Sequence, residues 1–294
     1  MSDAQRPVIV VRVRGGVRRS YEDRAAAEEP LEIRLHDRPF AVIMRTPGAD
    51  RELAAGFLLA ERVLRSADDL GTIAHCTDPE GLAKAGRHVL QKVAPQDVAP
   101  GFSRTSNVVN VTLSNGSGER LERLLTERRQ VTMNSSCGLC GRQTIESLAA
   151  DVPPIRSTWT IPASLVSTLP ERLRARQAVF DDTGGLHAAG LFGRDGTVVD
   201  VAEDVGRHNA VDKIVGRMLM REELPLTDRL LCVSGRTSFE IVQKAVIAGI
   251  PIVAAVSAPS SLAIELAQDL GVTLVGFVRG DGFNIYAHPE RIDT

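Results

Sequence analysis

Apolar and polar residues alternate in a regular order along the second half of the chain. Apolar runs bounded by polar turns predict strands, and apolar residues at helical spacing predict the helices between them. A β-α-β-α-β series of this kind forms a parallel sheet covered by helices. In chain order the predicted elements are a strand at 230–233, a helix at 238–248, a strand at 252–256, a helix at 261–270 and a strand at 272–277.

The segment before this series predicts a hairpin followed by a helix. Two apolar stretches, 186–192 and 197–202, flank a Gly-Arg-Asp-Gly turn, which is typical of neighbouring antiparallel strands. Apolar residues at helical spacing predict a helix over 205–220. Asp204 immediately precedes it, in the position where an aspartate side chain can cap a helix.

The first half of the chain is less regular. Residues 1–30 predict one edge strand and a tail, whereas 31–35 and 40–44 predict two strands that lead into a helix carrying Leu53, Phe57, Ala60 and Leu64. Alternating valines predict a further strand at 107–113.

A proline-bearing stretch at 151–154 separates this half from a helix predicted near 163–177, and we place a domain boundary there. The fold class is therefore α/β with a mixed sheet. Its parts are an edge strand and tail at 1–30, a smaller α+β portion at 31–150 and an α/β domain at 151–294.

Composition narrows the class of protein. The 294 residues are 43% hydrophobic and 24% charged, and the formal net charge is -2, so no global charge draws the chain to nucleic acid or to an anionic membrane. With only four cysteines and an N-terminus without an apolar signal segment, we expect a cytoplasmic protein in a reducing compartment. No apolar run approaches the roughly 20 residues that a spanning helix needs.

Cys137 and Cys140 form a Cys-Gly-Leu-Cys tetrad with a further glycine, Gly141, directly after it. Two cysteines at this spacing can share a metal, form a disulfide, or hold a reactive sulfur that one attacks and the other resolves. The glycines give the backbone the freedom that a thiol needs to meet a partner. The pair alone does not choose among these chemistries.

Polar residues follow each strand of the predicted parallel series, where open α/β sheets place their ligands. The first strand ends in Ser234-Gly235-Arg236-Thr237, and Thr237 with Glu240 predicts a capping box. The second ends before Ser257 and the third before Arg279. Each loop alone is explained by capping and turn formation, whereas their coincidence at one edge predicts an anion-binding site.

Two other segments, 183–190 and 203–213, contribute His187, Arg207 and His208. Both histidines have two open interpretations, a hydrogen-bonded core residue or a functional group. Cys232 lies in an apolar strand and is expected to be core, and Cys76 has no cysteine neighbour in the sequence.

Several of these motifs together resemble the FdhD family of formate dehydrogenase accessory sulfurtransferases. The resemblance runs from about residue 31 to 287 in matching order. It is carried by the cysteine tetrad, the segments 183–190 and 203–213, Ser234-Gly235-Arg236-Thr237-Ser238 and Gly276-Phe277-Val278-Arg279-Gly280.

The resemblance implies a function and a set of residues. It implies a cytidine-deaminase-like three-layer core, a homodimer, and a sulfur path from a cysteine desulfurase to the molybdenum cofactor of formate dehydrogenase. That cofactor is the bis(molybdopterin guanine dinucleotide) form, and GDP is a stand-in for its nucleotide arm. Cys137 corresponds to the persulfide-bearing cysteine and Cys140 to its partner. The cofactor-binding stretch corresponds to Phe277, Val278, Arg279, Gly280, Asp281 and Gly282.

One position departs from the family pattern. Many relatives carry a basic residue where this chain has Gly282, so the resemblance does not assign a phosphate contact there.

Two alternatives remain beside sulfur transfer. A structural zinc at the tetrad is one, although no second close cysteine pair is present in the sequence. Zinc catalysis is disfavoured because deaminases place His-x-Glu before the cysteine pair, whereas His187 follows it and lacks the glutamate. The other alternative is a nucleotide-cofactor-binding chaperone whose cysteines only protect or escort. No resident metal is expected.

Overall fold

The chain begins with a long β-hairpin. The structure is a computed structural model that describes residues 4–76, 107–114 and 152–294. Strands β1 (Gln5–Arg14) and β2 (Val17–Ala26) pair with each other in a sheet of their own. The prediction of one edge strand and a tail was therefore wrong, because the charged residues that fill β2 hide its strand pattern.

A four-stranded sheet and one helix follow. The strands are β3 (Glu29–Leu35), β4 (Arg38–Arg45), β5 (Leu70–His75) and β6 (Val108–Leu113), in the order β4-β3-β6-β5. Helix α1 (Asp50–Ala60) connects β4 to β5. These elements confirm the predicted strands and helix, except that Leu64 is buried after the helix has ended.

Short elements lead into the second half. Strand β7 (Ile161–Pro162) precedes helix α2 (Ala163–Arg174), and a separate helix α3 (Ala178–Thr183) follows. The helix predicted over 163–177 thus ends early, and the prediction missed α3.

A six-stranded mixed sheet forms the centre of the second half. Its strands are β8 (His187–Phe192), β9 (Val198–Asp204), β10 (Leu230–Val233), β11 (Ile252–Ala255), β12 (Thr273–Arg279) and β13 (Gly282–Ala287), in the order β13-β12-β11-β10-β8-β9. Strands β10, β11 and β12 are parallel, which confirms the predicted series. Strands β8 and β13 border them antiparallel, and β14 (Ile292–Asp293) pairs with β7.

Helices cover both faces of this sheet, as a three-layer architecture requires. Helices α4 (Arg207–Met220), α5 (Phe239–Ala248) and α6 (Ser261–Leu270) pack on one face. Helix α2 packs on the other through Val166, Leu169 and Leu173. The connection between β10 and β12 therefore alternates strand and helix, which aligns the carboxyl ends of the parallel strands at one edge.

Helix α4 joins the two halves of the protein. Its residues share one apolar core with α1 and with the inner face of the four-stranded sheet. An added Cβ at Gly56 of α1 or Gly216 of α4 would overlap a main-chain oxygen of the other helix, so only glycine allows the observed approach. Within the described ranges, no helix combines the length and apolarity that a membrane crossing requires.

Candidate functional site

The loops after β10 and β11 and the end of β12 touch one another. The N–H of Thr237 donates to the carbonyl of Ala258 at 3.2 Å, and the N–H of Ser260 donates back to Thr237 at 3.0 Å. The N–H of Phe277 donates to the carbonyl of Ser257 at 3.2 Å. The three loops that the sequence analysis singled out thus form one continuous edge.

The start of β8 adds His187 to this edge. The N–H of Ala188 donates to Ser234 Oγ at 2.9 Å, which ties the strand to the first loop. A Cβ placed on Gly235 would lie 3.2 Å from His187 Nδ1, so this glycine leaves the room that the imidazole occupies. His187 is half-buried, and burial together with the nearby Arg207 guanidinium lowers its pKa.

Arg207 occupies the first position of α4 beside His187. Its Nε is buried and has no hydrogen-bond partner among the described residues. A buried guanidinium N–H without an acceptor is costly, and such groups commonly mark a ligand position. The Arg236 side chain is exposed on the neighbouring loop and also lowers the pKa of His187. The edge therefore places the positively charged side chains of Arg207 and Arg236 near each other, which favours the binding of an anion.

His208 makes two hydrogen bonds to α5. Its Nε2 lies 2.9 Å from Ser238 Oγ, and its Nδ1 lies 3.0 Å from a carboxylate oxygen of Glu240. Burial and the Lys244 ammonium lower its pKa to about 3, so the ring is neutral. Since a carboxylate only accepts, Nδ1–H donates to Glu240 and Nε2 accepts from Ser238. The structure thus shows a satisfied histidine at the rim of the site.

These contacts correct two predicted caps. The N-cap of α4 is Gly206, and Asp204 is the buried last residue of β9, whose Oδ1 accepts from the Gly206 N–H at 2.8 Å. The N-cap of α5 is Ser238, without a side-chain capping bond. The capping box failed because Glu240 turns toward His208.

Buried ion pairs lie beneath the site. Lys213 Nζ lies 2.6 Å from Asp204 and donates to the carbonyl of Thr46 at 2.9 Å. Lys244 Nζ donates to Asp212 at 2.7 Å, and burial raises the pKa of this carboxyl to about 6 despite that contact. The sequence shows these charges as one dense segment, 203–213, but their partners on other elements were not predictable. The Thr46 contact ties the site to the N-terminal sheet.

The end of β12 is distorted where the predicted cofactor stretch lies. Phe277 has a left-handed backbone with φ 55 at an irregularity in the β12–β13 pairing. Arg279 donates from Nε to the carbonyl of Val256 at 3.3 Å, which holds it over the second loop. Val278 is 1% exposed and packs in the core, so contact with a ligand would come from its main chain. Gly282 has open space around it, and a larger residue would fit.

A cavity of about 1020 Å³ opens beside His187 and Ser234. Its far wall comes from α2 and α3, including Arg174 and Phe180, whose guanidinium and ring lie 4.6 Å apart. Open α/β sheets hold their ligands at this kind of edge.

The structure describes two of the four cysteines, Cys76 and Cys232. Cys137 and Cys140 lie outside the described residues. Cys232 is fully buried in β10, as expected for core, and burial raises its thiol pKa to about 12. Cys76 is half-buried with a free thiol. Among the described residues, no group of three or more His, Cys, Asp or Glu side chains is arranged to hold a metal ion.

Comparison with known proteins places the chain in a family. A protein named Sulfur carrier protein FdhD from Streptomyces coelicolor is 50% identical over 96% of this chain and 94% of its own length. The protein of the same name from Sulfolobus acidocaldarius is 43% identical over 98% of both chains. A crystal structure of a candidate formate dehydrogenase accessory protein from Desulfotalea psychrophila shares the fold, with a TM-score of 0.71 and 23% identity over 99% of this chain and 100% of that chain.

The match to a family model agrees with these relatives. The model described as the FdhD/NarQ family covers residues 26–293, which is nearly the whole chain. This protein therefore belongs to the FdhD/NarQ family.

Proposed function

We propose that this protein is a sulfurtransferase of formate dehydrogenase maturation that carries sulfane sulfur on Cys137. Support comes from its relatives, which are named sulfur carrier proteins, and from the glycine-flanked cysteine tetrad. The Cys137 thiolate attacks the outer sulfur of a cysteine desulfurase persulfide. The donor S–S bond breaks, the donor leaves as a thiolate, and Cys137 becomes a persulfide. The Cys140 thiolate holds this sulfur by attacking the outer sulfur of the Cys137 persulfide, which leaves a persulfide on Cys140 and a thiolate on Cys137. It releases the sulfur by attacking the inner sulfur, which forms a Cys137–Cys140 disulfide and expels hydrosulfide.

The acceptor in this proposal is the molybdenum cofactor with two molybdopterin guanine dinucleotides, bound as a substrate for delivery to formate dehydrogenase. The observation that carries it is the buried, unpartnered Nε of Arg207. The Arg207 side chain lies beside Gly235, at the strand-end edge to which Arg236 and Arg279 also belong, and guanidinium groups bind phosphate strongly. The adjoining cavity of about 1020 Å³ is large enough for a nucleotide arm.

Intact mass tests the sulfur step. After incubation with a cysteine desulfurase and cysteine, we expect a gain of about 32 Da per added sulfur. Cys137→Ala should abolish this gain and the activation of formate dehydrogenase, whereas Cys232→Ala should retain both because that thiol is buried. Full activation by the Cys137→Ala variant would contradict the transfer and favour a cofactor chaperone. Loss of folding in Cys137→Ala, with zinc bound to the wild-type protein, would favour a structural metal.

Calorimetric titration with GDP tests the nucleotide site. We expect Arg236→Ala and Arg279→Ala each to weaken binding by about 1.5–3 kcal/mol, since each removes a charged donor to phosphate. Persulfide formation on Cys137 should continue in both variants. Arg51→Ala, which changes an exposed residue of α1, is the matched control. Unchanged affinity in both loop variants would place the nucleotide elsewhere.

The proposal includes a cytoplasmic homodimer without resident metal, nucleic acid or membrane partner. Sedimentation of the purified protein, with metal analysis of the same sample, checks the oligomer and the metal together. A monomer at working concentration would remove the dimer from the proposal and leave the sulfur step in place.

A further inference from the structure

A second groove lies at the edge of the six-stranded sheet opposite the strand-end loops. Thr227 precedes β10, and Gly249 precedes β11, so both mark the amino ends of parallel strands. Arg194 reaches this edge from the turn after β8, because Phe192 pairs with Leu230 at the start of β10. The groove has a volume of about 730 Å³. We call it the Trp159 groove, and its other walls come from residues 152–159, Arg62 and the end of α5.

The charged residues that line the Trp159 groove are positively charged. Among the described residues that line it, three are arginines, Arg62, Arg156 and Arg194, and none is an aspartate or glutamate. Arg156 and Arg194 are exposed. The net charge of the chain is -2, so this concentration of positive charge is local to the groove. It favours a negatively charged partner.

Trp159, the only tryptophan of the chain, gives the groove an apolar surface. Its indole N–H donates to the carbonyl of Thr227 at 2.7 Å, which fixes the ring. The Arg194 guanidinium lies 5.3 Å from the ring centre. A fixed aromatic ring next to exposed arginines is typical of the residues that dominate protein interfaces.

The main chain beside Trp159 belongs to no helix or strand. Within the described part of the protein, no N–H or C=O of 156–159 bonds to another main-chain group. The carbonyl of Ser157 instead accepts from Arg291 Nε at 2.9 Å. Arg156 and Thr158 are exposed, whereas Ser157 and Trp159 are half-buried, which is the alternation of an edge strand. Segments of this kind accept an extended peptide as an added strand.

We propose that the Trp159 groove binds an extended acidic peptide segment of a protein partner. The peptide main chain pairs with residues 156–159, its carboxylates contact Arg156 and Arg194, and an apolar side chain packs on Trp159. A free nucleotide or phosphate would use the arginines but not the open main chain. The groove lies at the opposite edge from the proposed cofactor site, so a partner held here leaves that site accessible.

Trp159 is itself the reporter for the test, because its emission arises from the groove alone. The probe is an acetylated, amidated hexapeptide of alternating glutamate and leucine, and its lysine–leucine counterpart is the control peptide. We expect a saturable emission change with the glutamate peptide that weakens with salt. Arg156→Glu and Arg194→Glu should each weaken binding at least about tenfold, and the double variant should prefer the lysine peptide. Arg51→Glu, outside the groove, should bind normally.

Thermal melts of each variant confirm that it is folded before titration. Three results would overturn the proposal. Equal affinity for both peptides would remove the role of charge. Failure of acrylamide to quench Trp159 in the free protein would show that the groove is already filled. Displacement of the glutamate peptide by GDP at equal concentration would make the groove a small-anion site.

Discussion

At the scale of single residues, two neighbours at the start of α4 have opposite roles. Arg207 is half-buried, and its buried Nε has no hydrogen-bond acceptor among the described residues. His208 is neutral and has both ring nitrogens occupied. The sequence shows only two adjacent basic residues. Their difference arises from Glu240 of α5 and from Ser238, the N-cap of α5, which become neighbours of His208 only through folding.

The neutral His208 predicts a pH dependence of stability. Its pKa is about 3 in the folded protein against 6.5 for a free imidazole, so the unfolded chain binds the proton more tightly. Its stabilising contribution is complete above pH 6.5 and is lost as the pH falls toward 3, by at most about 1.4 kcal/mol per pH unit. His208→Gln keeps a donor and an acceptor but cannot titrate. We expect urea unfolding to show a smaller loss of stability in His208→Gln than in the wild type between pH 6.5 and 4.5.

The comparison of His208→Gln with the wild type isolates the titration of His208. Asp212 has a raised pKa and therefore gives the opposite slope, because its charged form costs stability as the pH rises from 3.8 toward about 6. Since Asp212 is present in both proteins, its effect cancels. Parallel stability curves would show that His208 does not cause the dependence.

At the scale of elements, the contact between α1 and α4 depends on glycine. The residues Gly56 and Gly216 each face the main chain of the opposite helix without room for a methyl group. We expect Gly216→Ala to lower the free energy of unfolding by about 1–3 kcal/mol, since overpacking outweighs the gain in helix propensity. Chemical denaturation measures the change. Gly282→Ala is the matched control, because a Cβ there meets open space, and equal stability of the two variants would contradict the steric argument.

The elements that the sequence predicted well are those whose local pattern and tertiary environment agree. Strands β10 and β11 are buried on both faces and therefore read as apolar runs. Strand β2 is almost wholly exposed, so nothing in its composition required an apolar face. The caps of α4 and α5 failed for a different reason, since Asp204 and Glu240 make contacts with residues distant in sequence.

The two sites differ in how far the sequence predicts them. The strand-end loops were found because parallel strands bring their carboxyl ends together, whatever the details of the fold. The Trp159 groove combines residues from 62 to 249 that share no motif. Its charge and open main chain become visible only when these segments are placed side by side.

At the scale of the whole molecule, α4 and α1 pack against each other between the two sheets, with α4 on the six-stranded sheet and α1 on the four-stranded sheet. Ten residues of α4 are buried, and its apolar ones belong to the same core as Leu31 and Ile33 of β3. The domain boundary predicted near residue 151 stays a prediction. The shared core indicates that the two halves fold together.

A fragment tests this cooperation. A chain of residues 152–294 lacks α1 and the four-stranded sheet, so it would expose the apolar and glycine surface of α4. We expect this fragment to bind the dye ANS and to show no cooperative thermal transition. The full-length protein should show a single transition. A fragment that melts cooperatively near the temperature of the full chain would make the halves independent domains.

The β1–β2 hairpin has a different relation to the rest of the protein. Gln5 and Arg24 both bond to Asp182 at its base, whereas Ile9, Val11 and Val13 are more than half exposed toward its tip. Local opening at the tip therefore breaks ladder bonds without disturbing the core, and its amides should exchange with solvent far sooner than those of β10. The turn at Gly15 and Gly16 has no neighbouring atoms in the way of a side chain. A fluorophore or affinity tag inserted there would report on the protein while leaving both the strand-end loops and the Trp159 groove untouched.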